Sequence, residues 1–92
     1  MFNSLFHQGV RSKLISYLIK NEELPFVALK KMLDVTDGNL SSHLKKLEEA
    51  RYVRIDKFVE SKKSKTVVSI TKIGRDAFRN YIVQLREFVE QN

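Results

Sequence analysis

The chain has 92 residues, 42% of them hydrophobic, and its 17 lysine and arginine residues against 11 aspartate and glutamate residues give a net charge of +6. This length predicts one domain spanning residues 1–92, and the apolar fraction excludes a disordered chain. With no run of 18 apolar residues and no signal-peptide pattern, we expect a cytoplasmic protein that does not associate with membranes. Because the sequence has no cysteine, it excludes disulfides and thiolate metal sites, and we expect no cofactor.

The positive charge is concentrated in one region. Residues 41–65 contain eight basic and four acidic residues, whereas the last 21 residues contain four basic and three acidic ones. A regional excess of this kind favours a polyanionic partner, which can be DNA, RNA or an anionic membrane surface.

Three helices are predicted in the first half of the chain. Apolar residues recur at helical spacing from Val10 to Ile19, and Pro25 cannot lie in the middle of a helix, so the first helix ends before it. A second helix is predicted from about residue 26 to 33. A third carries Leu40, Leu44 and Leu47 on one face, and Thr36 or Asp37 is expected to cap it. The two helices of this helix-turn-helix unit span about residues 26–50.

The second half of the chain predicts a β-hairpin, or wing, at about residues 53–71. Its strands contain β-favouring residues, and the basic segment Ser61–Lys65 is expected to form the tip. The alternation of apolar residues slips between Ile55 and Phe58, which predicts a bulge near Asp56 or Lys57. A last helix follows at about residues 72–90, capped by Thr71.

The outer face of the third helix is wholly polar. It presents Asn39, Ser42, His43 and Lys46, which are hydrogen-bonding side chains suited to base edges in a DNA major groove. Gly38 near the helix start would let the backbone approach a phosphate. A polar face of this kind can also be one that only contacts water. The basic hairpin favours the DNA-binding interpretation over this one. Three lysines at its tip repel one another unless a polyanion neutralises them.

Two segments resemble a known family. The run Leu40–Glu48, followed by Ala50, Tyr52 and Val53, resembles the recognition helix of winged-helix regulators of the MarR and ArsR type. Ile70–Arg75 resembles the LTxxGR sequence at the start of their last helix. Over about residues 10–85 the resemblance implies a mainly α fold with a small β-hairpin, in the order α-α-α-β-β-α.

The resemblance also implies a function. Residues 37–50 would be the recognition helix, the wing tip would reach the adjacent minor groove or backbone, and the protein would be a homodimeric transcription regulator, expected to be a repressor. We therefore predict sequence-specific binding of double-stranded DNA. The predicted DNA-binding residues are Thr36, Gly38, Asn39, Ser41, Ser42, His43, Lys45, Lys46, Arg51, Lys62, Lys63 and Lys65.

Arg51 departs from the family pattern, which has glycine between the recognition helix and the wing. Glycine suits a left-handed turn at a helix C-terminus, and arginine in the same conformation costs about 1 kcal/mol. Either the turn differs here, or Arg51 is retained because its charge helps, for example on a phosphate.

The two ends of the chain contain more apolar residues than a domain this small can easily bury. This excess predicts a two-fold dimer built from the first and last helices. The alternative is that all of these residues pack into one core. The predicted interface residues are Phe2, Leu5, Phe6, Phe78, Tyr81, Ile82, Leu85, Phe88 and Val89. A pocket at this interface could hold a small-molecule effector, but no residue identifies one.

Other functions are less well supported by the residues. The two histidines, His7 and His43, stand far apart, which argues against a metal sensor. Ser41, Ser42 and His43 are helix neighbours that point in different directions, so they cannot form a catalytic triad, and we expect no enzyme activity. The alternative function is a winged-helix module for protein interaction, or an architectural DNA-binding module without a specific operator.

Overall fold

The computed structural model describes residues 3–91, and within this range the helices and a small sheet enclose one apolar core. The predicted Phe2 lies outside the described residues. The elements are a 3-10 helix Ser4–Phe6, α1 Gly9–Asn21, β1 Glu23–Pro25, α2 Phe26–Leu33, α3 Asp37–Glu49, β2 Val53–Glu60, β3 Lys63–Ile70 and α4 Lys72–Gln91. The predicted fold class, mainly helical with a β-hairpin, is confirmed.

The core forms where the apolar stripes of α1 and α3 face the sheet. Leu14, Ile15 and Leu18 of α1 are completely buried, as are Leu40 and Leu47 of α3. Leu29 of α2, with Val53 and Val68 of the sheet, completes this centre. Removing such surface from water is the main stabilising term of a domain this small.

One strand of the sheet was not predicted. Glu23–Pro25 pairs antiparallel with β3, so that Glu23 lies opposite Ser69 and Pro25 opposite Val67. The strand order is β1-β3-β2. Three residues are too few for an alternating pattern, and Pro25 is tolerated because β1 is an edge strand and an edge residue can lack a ladder N–H.

The predicted bulge in the wing is wrong. β2 and β3 pair without interruption, from Val53 opposite Ile70 to Glu60 opposite Lys63. Val53 is buried and Ile55 half-buried, whereas every residue from Asp56 to Lys65 is exposed. The apolar alternation lapses because the hairpin leaves the core at this point, and no residue is inserted.

An aromatic cluster connects the N-terminal segment to α4. Phe6 is buried, with its ring centroid 5.4 Å from that of Tyr52, 5.1 Å from that of Phe78 and 5.3 Å from that of Tyr81. Asn3 donates a hydrogen bond of 2.7 Å to the Tyr52 hydroxyl. The cluster fixes α4 against the start of the chain.

None of the helices in residues 3–91 combines the length and apolarity needed to cross a bilayer.

Candidate nucleic-acid interface

The third helix begins at a capped turn, as predicted. The Thr36 side chain accepts a hydrogen bond of 3.1 Å from the Asn39 backbone N–H, and Asp37 lies in the first turn, where the helix dipole favours an acidic side chain. Asp37 also forms an ion pair of 2.9 Å with Lys30 of α2. The Lys30 side chain is 43% exposed and that of Asp37 72% exposed, so water screens the pair and it contributes little to stability.

The exposed surface of α3 is polar and basic. The leucines at positions 40, 44 and 47 face the core, and about 3.6 residues per turn place the opposite side of the helix in solvent. This surface, which we call the polar arc, consists of Gly38, Asn39, Ser42, Lys45 and Lys46. All five residues were predicted to contact DNA, and the structure brings them together on one side of the helix.

His43 lies at the edge of the polar arc and is half-buried. Its Nδ1 atom is buried and has no hydrogen-bond partner in residues 3–91. Burial lowers the pKa of His43 below its ordinary value of 6.5, and the positive charges of Arg11 and Lys46 lower this pKa further. The imidazole is therefore neutral at neutral pH.

Ser41 lies on the other flank of α3, beside a groove of about 320 Å³ between this helix and the wing sheet. Lys45 also lines the groove, and Ile55, Lys57 and Thr66 line it from the sheet. Lys57 was not among the predicted DNA-binding residues. Its signal in the sequence was its position two residues after Ile55, since alternate strand residues share a face.

Arg51 adopts the left-handed conformation that glycine has in the family pattern, with φ of 64°. Its N–H donates to the Glu48 carbonyl oxygen, and the Tyr52 N–H donates to the Leu47 carbonyl oxygen, each at 2.9 Å. These two bonds close the C-terminus of α3 as a Schellman motif. The turn has not changed to suit arginine, and the Arg51 side chain is exposed between α3 and the wing.

The wing turns more tightly than predicted. Strands β2 and β3 extend to Glu60 and Lys63, so the turn consists of Ser61 and Lys62 alone, with φ of 52° and 65°. Two positive φ angles are typical of the type I′ turn, whose twist matches that of the strands. Lys63 and Lys65 lie on β3, on the face opposite to Thr66 and Val68, and all three predicted lysines are exposed.

The predicted interface residues of the two chain ends separate into two groups. Phe6 and Phe78 are buried in the core of the protomer, and Leu5 and Tyr81 are half-buried. The other four that lie within residues 3–91, Ile82, Leu85, Phe88 and Val89, are exposed on α4.

Within residues 3–91, no three histidine or carboxylate side chains come together in a way that could hold a metal ion.

Comparisons with known proteins agree with this geometry. A family model described as a winged helix DNA-binding domain matches residues 10–89. An uncharacterized protein from Methanocaldococcus jannaschii is 44% identical over 81 residues, which are 88% of this chain and 88% of that protein.

Solved structures share the fold. A transcriptional regulator homologue from Pyrococcus horikoshii matches with a TM-score of 0.89 and 29% identity, covering 97% of this chain and 88% of that one. A MarR-family transcriptional regulator from Silicibacter pomeroyi has a TM-score of 0.71 and 20% identity, covering 96% of this chain and 58% of that one. The chain therefore belongs to the winged helix DNA-binding domain family, and it shares its fold with a MarR-family transcriptional regulator.

Proposed function

We propose that the protein is a sequence-specific transcription regulator that inserts α3 into the major groove of double-stranded DNA. The observation that carries this proposal is the polar arc of α3, which is exposed, basic and followed directly by a lysine-tipped wing. A helix fits the major groove, where side-chain donors and acceptors can distinguish the four base pairs.

Within the polar arc, the residue types suit different contacts. Asn39 can form a bidentate pair with adenine, Ser42 can donate or accept, and Lys46 can donate to guanine. Gly38 has nothing within 4 Å of the position of an added Cβ, so the backbone there is open to a phosphate.

The wing supports backbone or minor-groove contacts. Eight paired residues at about 3.3 Å each give a ribbon of roughly 26 Å, long enough to leave the domain and follow the duplex. Lys62, Lys63 and Lys65 lie at its far end, and each phosphate that they neutralise would release counterions.

A homodimer is part of the proposal. The C-terminal half of α4 extends beyond the core, with Phe88 55% and Val89 64% exposed. A helix with exposed apolar residues at this spacing favours association with a second copy, because pairing two such helices removes the apolar surface from water. Two protomers would then present their α3 helices to half-sites about 34 Å apart.

The test compares variants of the wing with a variant of α3, to distinguish their roles in DNA binding. The variant K62Q/K65Q should lower affinity for all DNA sequences alike and flatten the dependence of log K on log salt by about 0.9 for each phosphate that is no longer neutralised. The variant N39A should instead change base preference and reduce discrimination at one position by about 1–3 kcal/mol. The charge-matched control R79Q/R86Q, on exposed α4 positions, should leave the salt slope unchanged.

Selection of bound genomic fragments identifies the operator, and binding is then measured by fluorescence anisotropy over a range of salt concentrations. Identical behaviour of the wing and N39A variants would contradict the proposed division of roles. Salt-sensitive binding with no enriched sequence would indicate the architectural alternative, and the absence of DNA binding would indicate a protein-interaction module. A reporter downstream of the operator gives the sign of regulation, for which we expect repression.

A further inference from the structure

The groove between α3 and the wing sheet, about 320 Å³ in volume, has an apolar floor and a polar rim. The floor consists of the lining residues that are apolar and buried or half-buried, namely Phe26, Leu44 and Ile55. The rim consists of the polar lining residues, which are Ser41, Lys45, Glu48, Lys57 and Thr66. Two lysines against one glutamate give the rim a net positive charge, so it favours an anionic ligand.

Regular secondary structure fixes where the rim residues lie. On α3, Ser41 and Lys45 are four residues apart and Glu48 follows three residues later, so all three share one side of the helix. On the wing, Lys57 lies directly opposite Thr66 in the β2–β3 ladder, which places their Cβ atoms about 4.5–5.5 Å apart on one face of the sheet. Each side of the groove therefore presents a lysine beside a hydroxyl group.

The protein does not neutralise the two lysines of the rim. Among residues 3–91, none of the ion pairs within 4.0 Å includes Lys45, Lys57 or Glu48. Two ammonium groups on one groove repel each other, and a bound anion removes this repulsion. The oxygens of such an anion can also accept hydrogen bonds from the hydroxyls of Ser41 and Thr66.

The rim is open to solvent, which favours a polymer strand over a small molecule. Ser41, Lys45 and Lys57 are exposed, whereas small-molecule sites bury about 70–90% of their ligand. A nucleic-acid strand needs no such enclosure, because its phosphates gain affinity by exchanging condensed counterions for lysines.

The position of the groove between two DNA-binding elements also favours a strand. In the proposed function, α3 enters the major groove and the wing reaches the neighbouring minor groove or the backbone. One sugar-phosphate strand separates a major groove from the adjacent minor groove. A duplex that accepts both elements must therefore place that strand in the space between α3 and the wing.

We propose that this groove binds the sugar-phosphate strand that separates the two DNA grooves, with Lys45 and Lys57 neutralising its phosphates. The assignment rests on the proposed function, and it adds Lys57 and Thr66 to the DNA contacts. It also places the wing tip. The hairpin continues for three pairs beyond Lys57, about 10 Å, so its turn at Ser61 and Lys62 lies past the strand, in the minor groove.

Glu48 limits the length of strand that the groove can hold. This residue lies in the last turn of α3, on the side of the helix that carries Lys45. A carboxylate repels phosphates, so the strand is attracted at the lysines and repelled at the C-terminal end of the helix. The variant E48Q should therefore bind every DNA sequence more tightly, by roughly two- to fivefold.

The main experiment combines K57Q with duplexes in which one phosphate at a time is replaced by a neutral methylphosphonate. Replacing a phosphate that lies in the groove should weaken binding of the wild type by about fivefold. The same replacement should have little effect on K57Q, because the charge that it paired with is already gone. K57Q should also reduce the salt slope by about 0.9 on any sequence.

The control R79Q removes one exposed charge from α4 and should leave the methylphosphonate profile of the wild type unchanged. Identical profiles for the wild type and K57Q would overturn the assignment and would indicate a small organic anion as the occupant. Binding of E48Q no tighter than that of the wild type would also overturn it. If the wild type binds no duplex, the proposed function itself fails, whereas a wild type that binds DNA with the K57Q profile unchanged removes only the strand from the groove.

Discussion

At the scale of single residues, Arg51 combines an unfavourable backbone conformation with an exposed positive charge. Its φ of 64° costs a non-glycine residue about 1–2 kcal/mol, and the Schellman motif around it leaves no alternative conformation. Of the two explanations that the sequence allowed, a different turn is therefore excluded. A contribution of the charge to DNA binding is the explanation that we propose.

Replacing Arg51 with glycine should raise the free energy of unfolding by up to about 1 kcal/mol and weaken DNA binding. The gain follows because glycine adopts left-handed conformations without steric strain. Urea denaturation gives the stability, and anisotropy titrations give the affinity. R51K, which keeps the charge and the strain, is the control. A stabilised R51G protein with unchanged affinity would show that the charge has no role on DNA.

His43 should make stability depend on pH. Its pKa in the folded protein lies below 6.5, so the unfolded chain binds the proton first as the pH falls. Well above pH 6.5 the ring is neutral in both states and contributes nothing to the dependence. Below it, the free energy of unfolding should fall faster with decreasing pH in the wild type than in H43Q.

Thermal or urea unfolding of the two proteins between pH 5 and 7.5 measures this difference. The two proteins differ only at position 43, so every other group is common to both stability curves. Parallel stability curves for the wild type and H43Q would contradict the lowered pKa.

At the scale of elements, the connection between β3 and α4 depends on Thr71 and Gly74. The Thr71 hydroxyl donates to the Arg51 carbonyl oxygen at 2.6 Å and accepts from the Gly74 N–H at 2.9 Å. A Cβ on Gly74 would lie within 3 Å of the Tyr52 backbone, which cannot move aside as a flexible side chain would. The pattern Thr71-x-x-Gly74 is therefore explained by close contact between α4 and the start of the wing.

Replacing Gly74 with alanine should destabilise the protein by about 1–3 kcal/mol, because the methyl group overpacks a rigid contact. The control is G38A, where the added methyl group meets nothing within 4 Å. Because alanine has the higher helix propensity, G38A should raise stability by roughly 0.5–1 kcal/mol. Urea denaturation measures both, and equal effects of the two substitutions would refute this account of Gly74.

The two errors of secondary structure also belong to this scale. A strand is recognised in a sequence by alternation, and alternation exists only where one face of the strand is buried. β1 is too short to alternate, and β2 has no buried face after Ile55. An alternating pattern therefore predicts which strand residues are buried. It does not predict where two exposed strands form backbone hydrogen bonds.

At the scale of the whole molecule, α4 gives the protein its elongated shape, with extents of 54 × 25 × 21 Å. Its 20 residues span about 30 Å, and the ten residues from Ile82 onward are exposed. The proposed dimer interface therefore lies outside the protomer core. Residues of the proposed interface can therefore be substituted without disturbing the core of the domain.

The double variant L85E/F88E should be monomeric at tens of micromolar in sedimentation velocity, where we expect the wild type to be a dimer. Charges placed in an apolar interface must be buried without partners, which opposes association. Q84E/Q91E adds the same charge to exposed polar positions of the same helix and should remain dimeric. A monomeric wild type would remove the dimer from the proposal.

The sequence by itself determined the helices, the hairpin, the caps at Thr36 and Thr71, and the polar surface of α3. These features are local: they depend on periodicity, on capping chemistry and on residue type. The tertiary structure decided which side chains share a surface. It placed Phe6 and Phe78 in the core, and it placed Lys57 and Lys45 on the same groove. No pattern along the chain contains this information, because it arises from contacts between elements distant in sequence.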